Sequence, residues 1–159
     1  MSVSKFKTAD ELASIRDAMQ AEGRRLVLTN GCFDLLHVGH VRYLQWARDL
    51  GDALVIAVNS DASVRTLKGP SRPINTEGDR AEVLAALGSV DFVTTFSSPR
   101  VTEVIEAIRP HIYAKGGDYT IETLDAGERA ALEAAGTEIR ILPLVPGKST
   151  TGIVNKLNS

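Results

Sequence analysis

An uninterrupted apolar run, Ala53-Leu54-Val55-Ile56-Ala57-Val58, closed by Asn59, leaves this chain few ways to fold. A strand that is apolar at every position must be covered on both faces, as the inner strands of a parallel sheet are. Shorter β-branched runs alternate with helical patterns along the rest of the sequence, the signature of stacked βαβ units. Strands are expected at Arg25–Asn30, Ala53–Asn59, Asp91–Phe96, His111–Ala114 and Glu138–Leu142. Helices are expected between them. One opens at Thr8, where Glu11 completes a capping box, and ends at Gly23. The others run over Val38–Leu50, Asp61–Leu67, Thr76–Leu87, Pro99–Arg109 with Pro99 at its favoured first position, Ile121–Ala135 and Thr150–Leu157. Right-handed crossovers stack such elements into an α/β fold, a three-layer αβα sandwich around a doubly wound five-stranded parallel sheet. Ligands then bind at the carboxyl ends of the strands.

At 159 residues the chain has room for one domain, expected over 1–159 with 1–23 as an N-terminal helical extension. The formal charge of −2 and a sequence pI of about 5.9 give no electrostatic footprint for nucleic acid, and aromatic residues at 5% leave few stacking platforms. Any polyanion must be held by a local cluster of cations. The single cysteine, Cys32, excludes an intrachain disulfide and any multi-cysteine metal site, which fits a reducing compartment. No apolar run approaches the roughly 20 residues that cross a bilayer, and the polar start is no signal sequence. A soluble cytoplasmic protein is the expectation.

The strongest chemical signal follows the first strand: Thr29-Asn30-Gly31-Cys32-Phe33-Asp34-Leu35-Leu36-His37-Val38-Gly39-His40. His37 and His40 are two of three histidines, and they sit at the mouth of a helix, where unpaired N–H groups and the dipole favour anions. Three residues apart, both imidazoles share one face of the turn and can point at one phosphate. Gly31 and Gly39 let the backbone approach a ligand closely. Helix capping is the plainer alternative, and metal binding lacks an obviously placed third ligand.

These residues carry a resemblance. Gly31-Cys32-Phe33-Asp34 with His37-Val38-Gly39-His40 resembles the signature of the cytidylyltransferase-like nucleotidyltransferase superfamily. Val58-Asn59-Ser60-Asp61, Leu67-Lys68-Gly69-Pro70-Ser71-Arg72-Pro73-Ile74, Asp79-Arg80-Ala81, Lys115-Gly116-Gly117-Asp118-Tyr119 and Gly147-Lys148-Ser149-Thr150-Thr151 match it further, in order. Together they are similar to one branch, the D-glycero-β-D-manno-heptose 1-phosphate adenylyltransferases that make ADP-heptose for lipopolysaccharide. The resemblance implies a Rossmann-like nucleotidyltransferase fold, ATP as co-substrate with Mg²⁺, and a homodimer. Many members of the branch are fused behind a sugar kinase domain; a stand-alone form is expected here, with room left for another acceptor. A cytidylyltransferase acting on glycerol 3-phosphate or an aminoalcohol phosphate is the alternative, and a non-catalytic nucleotide-binding module a second.

Nucleotidyl transfer needs alignment and stabilisation of negative charge more than covalent chemistry. His37 and His40 are therefore expected on the NTP phosphates, with the backbone of Asn30, Gly31, Cys32 and Phe33 lining the nucleotide site. Lys68, Arg72 and Arg80 add cations in and after a Gly/Pro-rich loop, with Lys68 and Arg80 expected to act in catalysis and arginine offering a bidentate fork to phosphate. Arg80 in the first turns of a helix opposes the dipole, a local conflict that hints at a task. Gly147-Lys148-Ser149-Thr150 imitates the end of a Walker A loop, but Leu142 stands where its first glycine belongs, so a P-loop NTPase is not expected. Ser149 and Thr150 remain a phosphate cradle at a helix start, or its caps. Lys115 and Asp118 flank Gly116-Gly117 at a strand end, either gripping nucleotide and acceptor or closing a plain turn. Asp34 and Asp61 stand open between orienting the acceptor and capping a helix. No metal ligand is assigned.

Overall fold

The computed structural model describes residues 4–117, 119–142 and 155–157. Five strands form one sheet: β1 (Leu26–Gly31), β2 (Ala53–Asn59), β3 (Phe92–Phe96), β4 (Ile112–Gly116) and β5 (Glu138–Leu142). Their order is β3-β2-β1-β4-β5, and every pairing is parallel. Around it lie α1 (Ala9–Ala21), α2 (Val38–Asp49), α3 (Asp61–Lys68), α4 (Glu77–Ala85), α5 (Thr102–Ile108) and α6 (Ala126–Ala135).

β2 is buried at all of its positions, as its unbroken apolar run requires. Alternate side chains face opposite layers. Ala53, Val55 and Ala57 join α1, α5 and α6 through Leu12, Met19, Ile105 and Leu132. Leu54, Ile56 and Val58 join α2 and α4 through Leu44, Ala47, Ala81 and Leu84. The chain winds outward from β1 through β2 to β3, then returns to lay β4 and β5 on the other side of β1. That reversal opens a crevice between the carboxyl ends of β1 and β4, where such sheets take ligands.

Local signals act as read at several points. Thr8 Oγ1 accepts from the Glu11 amide at 3.1 Å while Glu11 Oε1 accepts from the Thr8 amide at 3.2 Å. The helix that follows buries Leu12 and Met19 in the common core. Just before it, Phe6 bridges to Val93 on the outer edge of β3, with Lys7 N to Val93 O at 3.0 Å and Val93 N to Lys5 O at 2.9 Å.

Two helix expectations need correction. Pro99 lies in a bend, and α5 begins only at Thr102. Val101, its N-cap, has no cap of its own, and its amide is instead turned toward the buried Glu128 carboxylate of α6 at 3.4 Å. The helix expected over Ile121–Ala135 is broken into a 3-10 turn at Ile121–Thr123 and α6. Leu124 is extended between them, and Asp125 caps α6 by accepting from the Glu128 amide at 3.1 Å. A short Asx cap after an apolar residue outweighs the helical period there. The helix expected over Thr150–Leu157 lies outside the described residues except for 155–157, which are helical.

Candidate active site

β1 ends at the crevice, and the chain leaves it through Cys32 and a Phe33 held at φ 48°, in the left-handed region. This turn points the Phe33 ring back over Gly31: a Cβ at Gly31 would stand 2.8 Å from Phe33 Cε2. Glycine is thus required by close packing. The same ring meets His40 edge-on, with centroids 5.4 Å apart. Phe33 is buried, so its side chain is a wall behind His40.

The two histidines open α2 and cap it with their own rings. His37 Nδ1 accepts from the Gly39 amide at 3.0 Å, and His40 Nδ1 accepts from the His37 amide at 3.3 Å. This is a capping box built from imidazoles. The rings lie tilted against one another with centroids 4.0 Å apart. A ring that accepts at Nδ1 carries its proton on Nε2. Capping therefore fixes both tautomers, each ring presenting N–H at the far edge, beside the first amides of a helix. Desolvation, then the neighbouring His37 and the Lys68 charge, push His40 down to about 4, so it is neutral at pH 7. Capping and phosphate contact, weighed as alternatives from sequence, are compatible in one geometry.

The acidic and basic residues of the loop organise one another. Asp34 is buried, and its carboxylate accepts from Arg72 Nε at 2.9 Å, the Ile74 amide at 2.8 Å and the Asn75 amide at 2.9 Å. Asn75 Nδ2 returns a 2.8 Å bond to the Asp34 carbonyl. Burial alone would raise the Asp34 pKa, but the two amides and Arg72 together hold it below the usual carboxylate range. Left open between orienting an acceptor and capping a helix, Asp34 clamps the 72–75 loop, whose Arg72–Pro73 bond is cis. Arg72 lies against that clamp, with its side chain 13% exposed.

Arg80, read as a phosphate-binding cation, is 2% exposed, and every nitrogen of its guanidinium is engaged within the protein. Nε donates to Asn75 O at 3.0 Å, Nη1 to Cys32 O at 2.7 Å and Asn59 O at 2.8 Å, and Nη2 to Asp61 Oδ1 at 2.8 Å. One side chain thus ties the ends of β1 and β2, the clamped loop and α3 together. Asp61 answers it, leaving the capping of α3 to Ser60, whose hydroxyl accepts from the Ser63 amide at 3.2 Å. Arg80, where the sequence noted a conflict with the helix dipole, braces these elements.

Lys68 closes α3, exposed, and its charge bears on both Cys32 and His40. It is the cation nearest in effect to the paired rings. Cys32 is half-buried, and desolvation raises its thiol despite the charges of Lys68, Arg80 and Arg72. Across the crevice, Lys115 on β4 stacks its Nζ 4.7 Å over the Tyr119 ring. Gly116 is pressed against Tyr43, where a Cβ would come within 3.0 Å of the ring, and Gly117 turns at φ 116°. Asp118, Ser149 and Thr150 lie outside the described residues. A cavity of about 700 Å³ adjoins the turn, lined by Phe33, Asp34, Leu36, Arg80, Val83 and Ala86 among others.

Three residues of this region carried no motif. Tyr43 hydrogen-bonds Thr29 Oγ1 at 2.7 Å, and burial pushes its phenol up to about 12. Asn75 serves both Asp34 and Arg80. Tyr113, fully buried, donates to Asn30 Oδ1. A hydroxyl between Ile112 and Ala114 is the one sequence sign Tyr113 offers.

For a divalent metal the donor chemistry is thin. Asp34 and Asp61 are paired with arginines, and among the described residues no three His, Cys, Asp or Glu side chains converge. The residues fit a cation that arrives on the triphosphate and keeps its waters, not one held in a protein cage.

A doubly wound sheet whose first strand delivers paired imidazoles to a helix mouth defines a class of nucleotide-handling folds, and this chain belongs to the cytidylyltransferase-like family, whose pattern matches residues 28–153. Among individual proteins, it is 51% identical to the bifunctional protein HldE of Pelobacter propionicus over 97% of this chain and 31% of that protein. It is likewise 51% identical to the bifunctional protein HldE of Azotobacter vinelandii, over 92% of this chain and 30% of that protein. The chain thus spans about a third of the length of the curated relatives it matches. Among solved structures, the lipopolysaccharide core biosynthesis protein from Thermoplasma volcanium superposes with a TM-score of 0.63 at 27% identity, covering 77% of this chain and 98% of that one. Pantoate-β-alanine ligase from Francisella tularensis shares the fold, at TM-score 0.59 and 13% identity over 98% of this chain and 78% of that one.

Proposed function

We propose that residues 1–159 form one nucleotidyltransferase domain that transfers AMP from ATP to D-glycero-β-D-manno-heptose 1-phosphate, giving ADP-heptose and pyrophosphate. The observation that carries the reading is the imidazole capping box at the mouth of α2, in which each ring accepts at Nδ1 and so keeps its proton on Nε2. A phosphate oxygen of the acceptor attacks the α-phosphorus; the bond to the bridging oxygen breaks, and pyrophosphate leaves with the electron pair. Paired donors and the Lys68 charge stabilise the negative charge that develops on the leaving phosphates. A neutral His40 still donates through its Nε2–H. Mg²⁺ enters with ATP.

The heptose acceptor is supported by the ordered motifs from Thr29 to Ile153 and by identity near one half with the HldE proteins. No helix among the described residues is long and apolar enough to cross a membrane. A cytoplasmic homodimer is part of the proposal, and sedimentation velocity tests the dimer. Purified protein incubated with each NTP and heptose 1-phosphate, with pyrophosphate measured, tests the reaction. Turnover of CTP with glycerol 3-phosphate and none with heptose 1-phosphate would overturn the substrate assignment.

A further inference from the structure

Asn30 on β1 and Tyr113 on β4 lie on neighbouring paired strands, on the sheet face turned to α1, α5 and α6, just below the point where the sheet reverses its winding. The Tyr113 side chain is fully buried, and its hydroxyl makes its one described hydrogen bond by donating to Asn30 Oδ1. Asn30 itself is half-buried at the carboxyl end of its strand, one residue before Gly31. Among the described residues nothing else bonds its side chain, and no buried polar atom there is left without a partner. Nδ2 has no partner among the described residues.

An amide has two faces of opposite character, an acceptor and a double donor, and a half-turn about its last torsion exchanges them. Beside an anion the two orientations differ in sign: Nδ2–H₂ attracts phosphate oxygens, whereas Oδ1 repels them. A phenol that stays protonated settles the matter by engaging the oxygen from behind. Desolvation is the main reason that the Tyr113 phenol lies well above its ordinary range, and the charge of the buried Glu128 reinforces it. No group competes with Asn30 for its proton among the described contacts.

We propose that Tyr113 is a positioning residue which, by holding Asn30 Oδ1, orients the amide so that Nδ2–H₂ becomes a further donor to the nucleotide phosphates bound at the α2 mouth. This rests on the nucleotidyltransferase reading above. It adds to the imidazole pair a third donor, and it assigns a role to a buried hydroxyl that the capping geometry does not use.

The test is a double-mutant cycle read by titration calorimetry with ATP, with KM for ATP and kcat measured alongside. Tyr113→Phe and Asn30→Ala are each expected to weaken ATP binding about tenfold, the worth of one hydrogen bond to a charged group. The double variant should be no weaker than either single one, because Tyr113 acts only through Asn30. Additive losses, or unchanged ATP affinity in Tyr113→Phe with a lowered melting temperature, would reduce Tyr113 to a packing residue and overturn the proposal. Asn30→Asp keeps the Tyr113 bond but offers oxygen to the phosphates, so it should bind ATP more weakly than Asn30→Ala; equal or tighter binding also overturns it. Wild-type protein that binds neither ATP nor CTP would instead remove the nucleotidyltransferase reading, and this one with it.

Discussion

The guanidinium of Arg80 and the carbonyl of Cys32 are joined by a 2.7 Å hydrogen bond that fastens α4 to the end of β1. With its bonds to Asn59, Asn75 and Asp61, this makes the shape of the site depend on a residue that points away from solvent. Arg80→Met should leave three carbonyls and a carboxylate without their partner. We expect a loss of about 3–5 kcal/mol, the usual cost of breaking a buried pair by removing one member. Urea unfolding checks this, and a wild-type midpoint would refute it. Arg80→Lys cannot serve four acceptors in fixed directions, so it should recover only part of the loss.

Gly31→Ala places a methyl against the Phe33 ring, which is itself locked between the core and His40. Relief requires the ring to move and the histidine with it. The expected result is a destabilisation of about 1–3 kcal/mol together with a lower kcat. Thermal melts with parallel kinetics decide; a loss of stability with wild-type kcat would mean that Phe33 does not position His40.

His40 is poised to ignore physiological pH. Its folded pKa of about 4 lies below the unfolded value near 6.5, so between those limits the unfolded chain binds a proton that the native one refuses. Its contribution to stability is present above 6.5 and is lost as pH falls toward 4. If the neutral ring is the working form, the acid limb of kcat/KM assigned to His40 falls near 4, not near 6.5. Removing the neighbouring charge in Lys68→Ala should move that limb upward. A limb near 6.5 that disappears in His40→Ala would contradict the neutral assignment.

At the opposite end of the sheet His111 works as a structural acceptor. Its Nδ1 takes the Leu26 amide at 2.9 Å and its Nε2 meets Gln20 Oε1 at 2.7 Å. Desolvation first, then Arg16 and Arg25, lower its pKa, so it too favours folding above 6.5 and opposes it as pH falls below. His111→Phe should cost about 1–3 kcal/mol at pH 8, through the orphaned Leu26 amide, yet lessen the loss of stability between pH 8 and 5. Urea midpoints at those two pH values measure both effects.

Much of this fold is written locally. The unbroken apolar run gives β2 its observed limits, and Thr8 with Glu11 gives α1 its start, because both depend on neighbours in sequence. The paired histidines are legible for the same reason: cap, glycine and ring lie within a few residues. Asp34 and Arg80 are not. Asp34 reaches Arg72 38 residues away and Arg80 reaches Cys32 48 residues away, pairs brought together only by the crossovers. A buried arginine brace and a phosphate-gripping arginine read alike in one dimension. Tyr113 is hidden in the same way, since its partner lies 83 residues upstream on an adjacent strand. Pro99 misleads differently: proline suits a first helical turn, but the buried Glu128 reaches across to the amide of Val101 instead, just before α5 begins.

The short pairing of Lys5, Phe6 and Lys7 with Val93 has a consequence beyond tidying the N-terminus. β3 is an outer strand, and its free amides and carbonyls would otherwise offer a template on which another chain could add a strand. Lying across Val93, with lysines on either side of Phe6, that segment occupies part of the template and places charge beside it. Solubility at high concentration thus depends in part on a few residues remote from the nucleotide crevice.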